Sequence, residues 1–578
     1  MATLEDLKLN GEAPEWMTDE SFKTISKGYT LDGETPKDMY WRVSNSSAKY
    51  LRKPELAAKF FQYMWNNWLC PATPVLSNSG TTRGHVISCF GVNVEDSIYG
   101  IMDKAKEIGM LIKHGGGVGV YVGNLRDKGS NISGGNGTTD GIIPFLKIYE
   151  SIFQGIAQGG VRRGAAAVYD RIRTAESHDL ITIRKKTGSD LSRKCLSTGF
   201  HHAFNLDDEF MNNSKASNGF ERQTWQLLMK TRHEEGEPYL SWIDNANRNR
   251  PDCYKELGLK VSHSQLCSEI FLFSDPEHTY VCCLSSLNVA RYDEWKDTDL
   301  VETATWFLDG IMEEFIQRAK DTPGFECAVR SAVKGRPLGL GQLGWHSLLQ
   351  SKMIPFESFE AMQLNAEVAR TIQERSLVGS QQLALEYGEP EWCKGFGIRN
   401  THRTAIAPTF SNSIVSGGLS QGIEPIAGNC YAQKTAKGMF IRKNRQLEAL
   451  LETKGKNTMD VWEQINDRKG SVSKLNFLSS DEKAVFATAR EISQFTIIQQ
   501  AAQRQPFICQ GQSVNTFFAA VADVTDEGLK AKLGRYIHDV HRMAYDLGLN
   551  SVYYLKSAAV MSGDRVFREE GECLSCEG

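Results

Sequence analysis

The chain has 578 residues, 41% hydrophobic, 24% charged and 10% aromatic, with a formal net charge of −4. That near-balance gives no electrostatic case for nucleic acid or an anionic membrane as partner, and no apolar run of about 18 residues offers a membrane span. The opening Met-Ala-Thr-Leu-Glu-Asp-Leu-Lys lacks the apolar core of a signal peptide, so the cytoplasm is the simplest compartment and the 13 cysteines are expected as thiols.

Residues 1–68 read as helical, with loop-like breaks at 31–36 and 43–47 and one clear helix from Pro54 to Trp68, proline in its first turn. From 69 to 555 short apolar runs alternate with helical patterns, which argues for one large α/β domain. Gly117-Val-Gly-Val-Tyr-Val122 reads as a strand. The glycine-rich stretches 113–119 and 129–137 match neither the Rossmann nor the P-loop spacing, and tight turns explain them equally well. Arg535 to Leu547 reads as a helix with Ile537, Val540, Ala544 and Leu547 on one face and Gly548 as its cap. A strand, Ser551-Val-Tyr-Tyr-Leu555, follows, and residues 556–578 read as a loose tail.

Several groups of residues carry chemistry, each with a plainer counterpart. Ala407-Pro-Thr-Phe-Ser-Asn-Ser-Ile414 offers hydroxyl and amide side chains suited to a phosphate, or to capping an ordinary loop. Cys267 and Glu269 stand two apart, so on an extended segment they face one side and aim a thiol and a carboxylate at one substrate; otherwise Cys267 is a small packing residue. Cys89 and Cys282 lie on β-like segments that can face a common centre, and of the adjacent Cys282 and Cys283 only one points inward. Tyr553 and Tyr554 read on their own as a half-buried, half-exposed strand pair. The 12 histidines show no ligand spacing, so no catalytic metal built by this chain is expected. At the end, Cys573 and Cys576 form an accessible dithiol. It is a redox arm, half of a zinc site, or idle.

In order along the chain, these segments resemble the catalytic large subunit of a class I ribonucleotide reductase. The resemblance rests on Cys70-Pro-Ala-Thr-Pro-Val-Leu-Ser-Asn-Ser-Gly80, Ile87-Ser-Cys-Phe90, Gln158-Gly-Gly-Val-Arg-Arg-Gly164, Leu266-Cys-Ser-Glu269, Cys282 with Leu284-Ser-Ser-Leu-Asn288, Gly422-Ile-Glu-Pro425, the tyrosine pair and the terminal Cys-x-x-Cys. It implies a ten-stranded α/β barrel of two antiparallel halves, each of five parallel strands, with a central finger loop carrying Cys267. The implied activity is reduction of ribonucleotides, expected as diphosphates, to 2′-deoxyribonucleotides. Cys267 is then the thiyl radical, Glu269 the base, and Cys89 and Cys282 the pair that ends as a disulfide. Tyr553 and Tyr554 relay a radical from a separate small subunit with a metallocofactor. Cys573 and Cys576 reduce the buried disulfide and are recharged by thioredoxin or glutaredoxin.

By the same resemblance Thr409, Ser411, Asn412 and Ser413 hold substrate phosphate, with Thr73 and Ser88 near the ribose or phosphate. A nucleoside triphosphate effector with Mg²⁺ is expected near Asp96 and Arg126, beside Lys186, Gly188 and Ser189, at a homodimer interface. Two departures stand out. Gln265 occupies the place where the family normally has asparagine, and no segment resembles the N-terminal ATP cone, so on/off control at such a cone is expected absent, as in compact bacteriophage-borne reductases. An adenosylcobalamin-dependent class II enzyme and a catalytically inactive nucleotide-binding homologue are the competing expectations.

Overall fold

The computed structural model describes residues 3–557 apart from 133, 136, 159–161, 187–190, 198, 436–437 and 521–525. Cys573 and Cys576, and with them Gly188 and Ser189 of the expected effector loop, lie outside the described residues. Five short buried runs build the first half of the core. β1 (Cys89–Asn93), β2 (Gly117–Tyr121), β3 (Ala165–Arg171), β4 (Phe200–Leu206) and β5 (Tyr239–Trp242) pair side by side in that order, all parallel. Nearly every residue in them is buried, as parallel strands require when crossover helices such as Ile98–Lys113 cover one face and other chain fills the opposite one.

The second half starts with β6 (Tyr280–Asn288), whose first residues pair antiparallel with β1 while its later part runs parallel to β7 (Leu338–Leu343). Parallel contacts continue through Leu340 to Thr404 and Ile406 to Gln512. The Tyr553 N–H then donates to the Val514 carbonyl at 2.8 Å, and β8 (Ser551–Val552) pairs antiparallel with β5. With 404–406 and 511–513 counted as strands, two parallel halves of five meet antiparallel at both seams. This is the ten-stranded α/β barrel that the sequence motifs imply.

A loop, residues 262–274, fills the barrel. Asn205 Nδ2 donates to the Ser262 carbonyl at 2.6 Å and Asn93 Nδ2 to the Ser274 carbonyl at 3.2 Å, which anchors both stems of the loop to strand ends. The close approach demands glycine on two sides. A Cβ on Gly119 would lie 2.3 Å from the Ser264 carbonyl oxygen, and one on Gly511 would lie 2.6 Å from the Phe271 ring and 3.1 Å from the Glu269 carbonyl oxygen.

The N-terminal helices (Leu4–Leu9, Asp19–Ser26, Pro36–Tyr50 and Ala57–Trp65) pack outside the barrel. The break expected at 43–47 is not there: these residues continue the helix Pro36–Tyr50. Their hydroxyls find partners without leaving the helix, because Ser44 Oγ donates to the Tyr40 carbonyl, Ser47 Oγ to the Phe307 carbonyl and Ser46 Oγ to Glu314. The helix expected from Pro54 to Trp68 is a 3-10 turn, Pro54–Leu56, running into Ala57–Trp65, and it stops where Asn67 turns to φ 57°. The helix expected at 535–547 begins earlier, at Glu527, capped by Asp526; Gly528 and Gly534 hid its first turns, since glycine is a poor helix former. Ile537, Val540 and Ala544 are buried as expected, but Leu547 is 45% exposed. No helix among the described residues is long and apolar enough to cross a membrane.

The loop's confinement yields a first prediction. Gly119→Ala drives a methyl into the main chain at 264–265, so it should cost about 1–3 kcal/mol and displace the loop tip. Thermal melting should fall by several degrees and turnover should drop more than melting explains; a variant with unaltered turnover would show that the loop is not held by this contact.

Candidate active site

Cys267 and Glu269 sit at the tip of the loop, both buried. The extended run expected to set them on one side is not formed. The segment is not extended there: Ser268 takes φ 63°, a left-handed conformation that costs a non-glycine residue energy and folds the tip back. Four carbonyls of the tip are pinned from the barrel wall. Tyr169 Oη donates to Gln265 O at 2.7 Å, Ser513 Oγ to Cys267 O at 2.6 Å, Ser551 Oγ to Ser268 O at 2.6 Å and the Gly511 N–H to Glu269 O at 2.8 Å.

The Gln265 side chain bonds both residues. Its Nε2 donates to Glu269 Oε2 at 2.6 Å and its Oε1 accepts from the Cys267 N–H at 3.0 Å. Burial pushes the Glu269 carboxyl up to about 8, while the Ser513 hydroxyl and the Gln265 amide pull the other way. A carboxyl poised in that range accepts and returns a proton near neutral pH.

Cys89 and Cys282 are directly opposed across the antiparallel seam of β1 and β6. Opposed residues in such a ladder have Cα atoms about 4.5–5.5 Å apart, within the span a disulfide needs. The neighbouring thiols divide as alternation dictates. Both feel Cys89, but Cys282 faces Gln510 and Glu269, whereas Cys283 feels Asp309 and Glu314 of the covering helix Leu300–Ala319. Burial raises both thiols well above the ordinary range.

The tyrosines depart from the strand reading. The ladder breaks between β8 and the strand Leu555–Ser557, so Tyr553 and Tyr554 cross the gap and their rings meet at 4.3 Å instead of pointing to opposite faces. Tyr239 of β5 joins them, its ring 4.7 Å from Tyr553 and 5.0 Å from Tyr554. Tyr553, Tyr239, Leu266 and Cys267 belong to one apolar cluster, with half-buried Tyr554 against it. Tyr554 Oη lies 3.5 Å from His201 Nδ1, which contacts Glu237 at 3.1 Å. Against the effect of burial, Arg184 and His201 hold the Glu237 carboxyl down at about 2.

The expected phosphate residues do gather. Thr409, buried at φ 57°, precedes the short helix Phe410–Val415, and its Oγ1 accepts from the Gly422 N–H at 2.7 Å. Asn412 Nδ2 donates to the Pro71 carbonyl at 3.0 Å, and Ser413 Oγ to the Phe410 carbonyl. Ser411 is buried beside them, and half-buried Thr73 hydrogen-bonds Tyr29 at 2.9 Å. Ser88, half-buried, adjoins Cys89, and its carbonyl accepts from the Gly117 N–H. Away from this centre Arg126 Nε pairs with Asp96 at 2.9 Å, and Lys186 is exposed.

The match to known proteins follows this geometry. The family model described as "Ribonucleotide reductase, barrel domain" covers residues 87–221, 220–396 and 389–555, and "Ribonucleotide reductase, all-alpha domain" covers 16–84. This chain belongs to the class I ribonucleotide reductase large-subunit family. A Frog virus 3 relative is 37% identical over 548 residues, 91% of this chain and 93% of that protein. The ribonucleoside-diphosphate reductase large subunit of Invertebrate iridescent virus 3 is 32% identical over 605 aligned residues, 90% of this chain and 92% of its own. Among solved structures, the Actinobacillus ureae class Id ribonucleotide reductase alpha subunit superposes with a TM-score of 0.86 at 38% identity, over 96% of this chain and 99% of that one.

Sequence reasoning missed the supporting residues of this reductase: Tyr169, Tyr239, Gln510 and Ser513. Only the run Gln510-Gly-Gln-Ser-Val-Asn515, polar and glycine-bearing beside apolar residues, gave a signal for two of them.

Gln265→Leu tests the side-chain amide. It removes a donor that holds the Glu269 carboxyl down, so the rise of activity with pH should move to higher pH and turnover at pH 7 should fall several-fold; an unchanged pH profile would separate Gln265 from Glu269.

Proposed function

We propose that this chain reduces ribonucleoside diphosphates to 2′-deoxyribonucleotides for DNA precursor synthesis, through a thiyl radical on Cys267. The observation that carries the reading is the convergence of three elements on one buried space: the Cys267–Glu269 loop tip, the directly opposed Cys89 and Cys282, and the tyrosine cluster against Cys267. Stripping the ribose 2′-hydroxyl needs activation of the adjacent 3′ C–H bond, and a sulfur radical matches that bond in strength. Cys267 takes the 3′ hydrogen, Glu269 takes the 3′-OH proton and the 2′-OH departs as water. Cys89 and Cys282 then give two electrons and two protons and end as a disulfide, and Cys267 returns its hydrogen to C3′.

Tyr554 and Tyr553 carry the oxidising equivalent inward from a separate radical-generating subunit, whose metallocofactor is its source. The 4.3 Å ring contact supports this relay, as does their shared cluster with Cys267. Thr409, Ser411, Asn412 and Ser413 hold the substrate phosphates, with Thr73 and Ser88 at the ribose side. Asp96 and Arg126, near Lys186, take a nucleoside triphosphate effector with Mg²⁺. Ile98, Tyr99 and Met102, exposed together at the start of the adjoining helix, suit a homodimer contact there. Cys573 and Cys576 re-reduce the disulfide and are recharged by thioredoxin or glutaredoxin, in the cytoplasm of a cell or of an infected host.

The test is a reduction assay with a radical-generating subunit, all four substrates and either thioredoxin or a small dithiol. Cys267→Ser and Tyr553→Phe should each abolish turnover, and Glu269→Gln should lower it about 100- to 10,000-fold. Turnover by Tyr553→Phe would overturn the relay. A second arm addresses the tail: Cys573→Ser should lose thioredoxin-driven turnover and keep most of the dithiol-driven rate.

A further inference from the structure

Gln510 is fully buried, and its main chain is clamped, the carbonyl accepting from Asn550 Nδ2 at 2.6 Å and Gln505 Nε2 at 3.1 Å. Its side-chain amide has a fixed orientation. Nε2 lies 2.9 Å from the Leu338 carbonyl, which only accepts, so the NH₂ end and not the oxygen must face it. One amide hydrogen is used there. The second is left for the sulfur of Cys282, 3.6 Å from Nε2.

The other sulfur of the pair is placed differently. Cys89 retains 9% of its surface and Cys282 1%, so an incoming reductant meets Cys89 first. No side chain competes with Gln510 from β7, since a Cβ on Gly339 would stand only 3.0 Å from Cys282 Sγ. Burial and the neighbouring Cys89 both oppose a thiolate on Cys282, and Gln510 is the hydrogen-bonding group that favours one.

We propose that Gln510 is a catalytic residue for reopening the disulfide, directing reductant to Cys89 by stabilising Cys282 as the leaving thiolate. The inference rests on Cys89 and Cys282 being the redox pair. A reductant thiolate attacks Cys89 Sγ, the S–S bond breaks and its electron pair leaves on Cys282 Sγ, which accepts the Gln510 hydrogen bond and is then protonated. The second thiol of the dithiol reductant attacks the mixed disulfide, releases Cys89 and leaves the reductant oxidised. Two electrons and two protons pass from dithiol to enzyme. Exchange is faster when the leaving sulfur bears charge more easily, so the arrangement sets both the rate and the sulfur attacked.

The experiment needs neither the radical nor a partner. A full-length chain carrying Cys573→Ser and Cys576→Ser is oxidised with diamide, opened with 2-mercaptoethanol and quenched with iodoacetamide, and peptide mass spectrometry locates each label. The mercaptoethanol adduct is expected on Cys89 and the alkyl group on Cys282. Gln510→Met should slow opening about tenfold and move part of the adduct to Cys282, whereas a purely structural role would slow attack at both sulfurs alike. Adduct on Cys282 with Gln510 intact overturns the inference by itself, with no variant required to fold, and so does an unchanged partition in Gln510→Met. A chain that forms no Cys89–Cys282 disulfide overturns the redox-pair reading, and this inference with it.

Discussion

Everything at this site depends on a polar loop being held inside a barrel. Residues 262–274 enter a space that would otherwise be filled by apolar side chains, bringing main-chain carbonyls that water can no longer solvate. An unpaired buried carbonyl costs about 1–3 kcal/mol. Four such groups sit close together at the tip, and each is taken by a donor from the wall: Tyr169 from the first half of the barrel, and Gly511, Ser513 and Ser551 from the second. Neither half alone supplies the set. Closure of the barrel and placement of Cys267 are therefore one event, and the left-handed Ser268 is tolerated only because its neighbours are fixed on both sides.

Burial also sets the chemistry. With little water near, the carboxyl of Glu269 is held at the edge of ionisation and the thiols of Cys282 and Cys283 stay protonated. The tyrosine cluster is treated the same way, since Tyr239 is buried and its hydroxyl is pushed far from ionisation by desolvation first and then by Tyr553 and Tyr554. Charge beside the outer tyrosine is paired. There Glu237 is matched by Arg184 and His201, and Glu424 by Asn515 and Lys556, just where the outer tyrosine meets the surface. A dry interior with paired charges at its edge keeps these thiols and phenols away from bulk water.

Much of this was legible in the sequence, for identifiable reasons. Parallel strands are short and mostly apolar, so the alternation of runs and helices revealed the α/β class, and the ordered motifs that resemble the family implied the barrel. Residues of distinctive type, such as Cys267, Glu269 and the tyrosine pair, stand in ordered motifs. What escaped was geometry made by tertiary contact. Cys267 and Glu269 flank a left-handed turn at Ser268 in place of alternating along a strand. Tyr553 and Tyr554 meet where the strand assignment is interrupted across both of them, and no local pattern encodes that interruption. The polar run at 43–47 misleads for the opposite reason. Ser44, Ser46 and Ser47 look like loop formers until the helix's own carbonyl and a partner helix accept their hydrogens. Tyr169, Gln510 and Ser513 are ordinary residues whose value comes from what folds against them.

The paired cysteines of β6 show where such information resides. Cys282 and Cys283 are the same side chain one position apart, equally buried, in the same strand. What separates them is the pairing of that strand with β1 on one edge and β7 on the other. Because a shift of one residue would exchange the two faces, the ladder's register decides which of the two cysteines stands directly opposite Cys89. The difference between the two thiols is thus written in the main chain, and a reagent that counted cysteines without feeling the fold could not tell them apart.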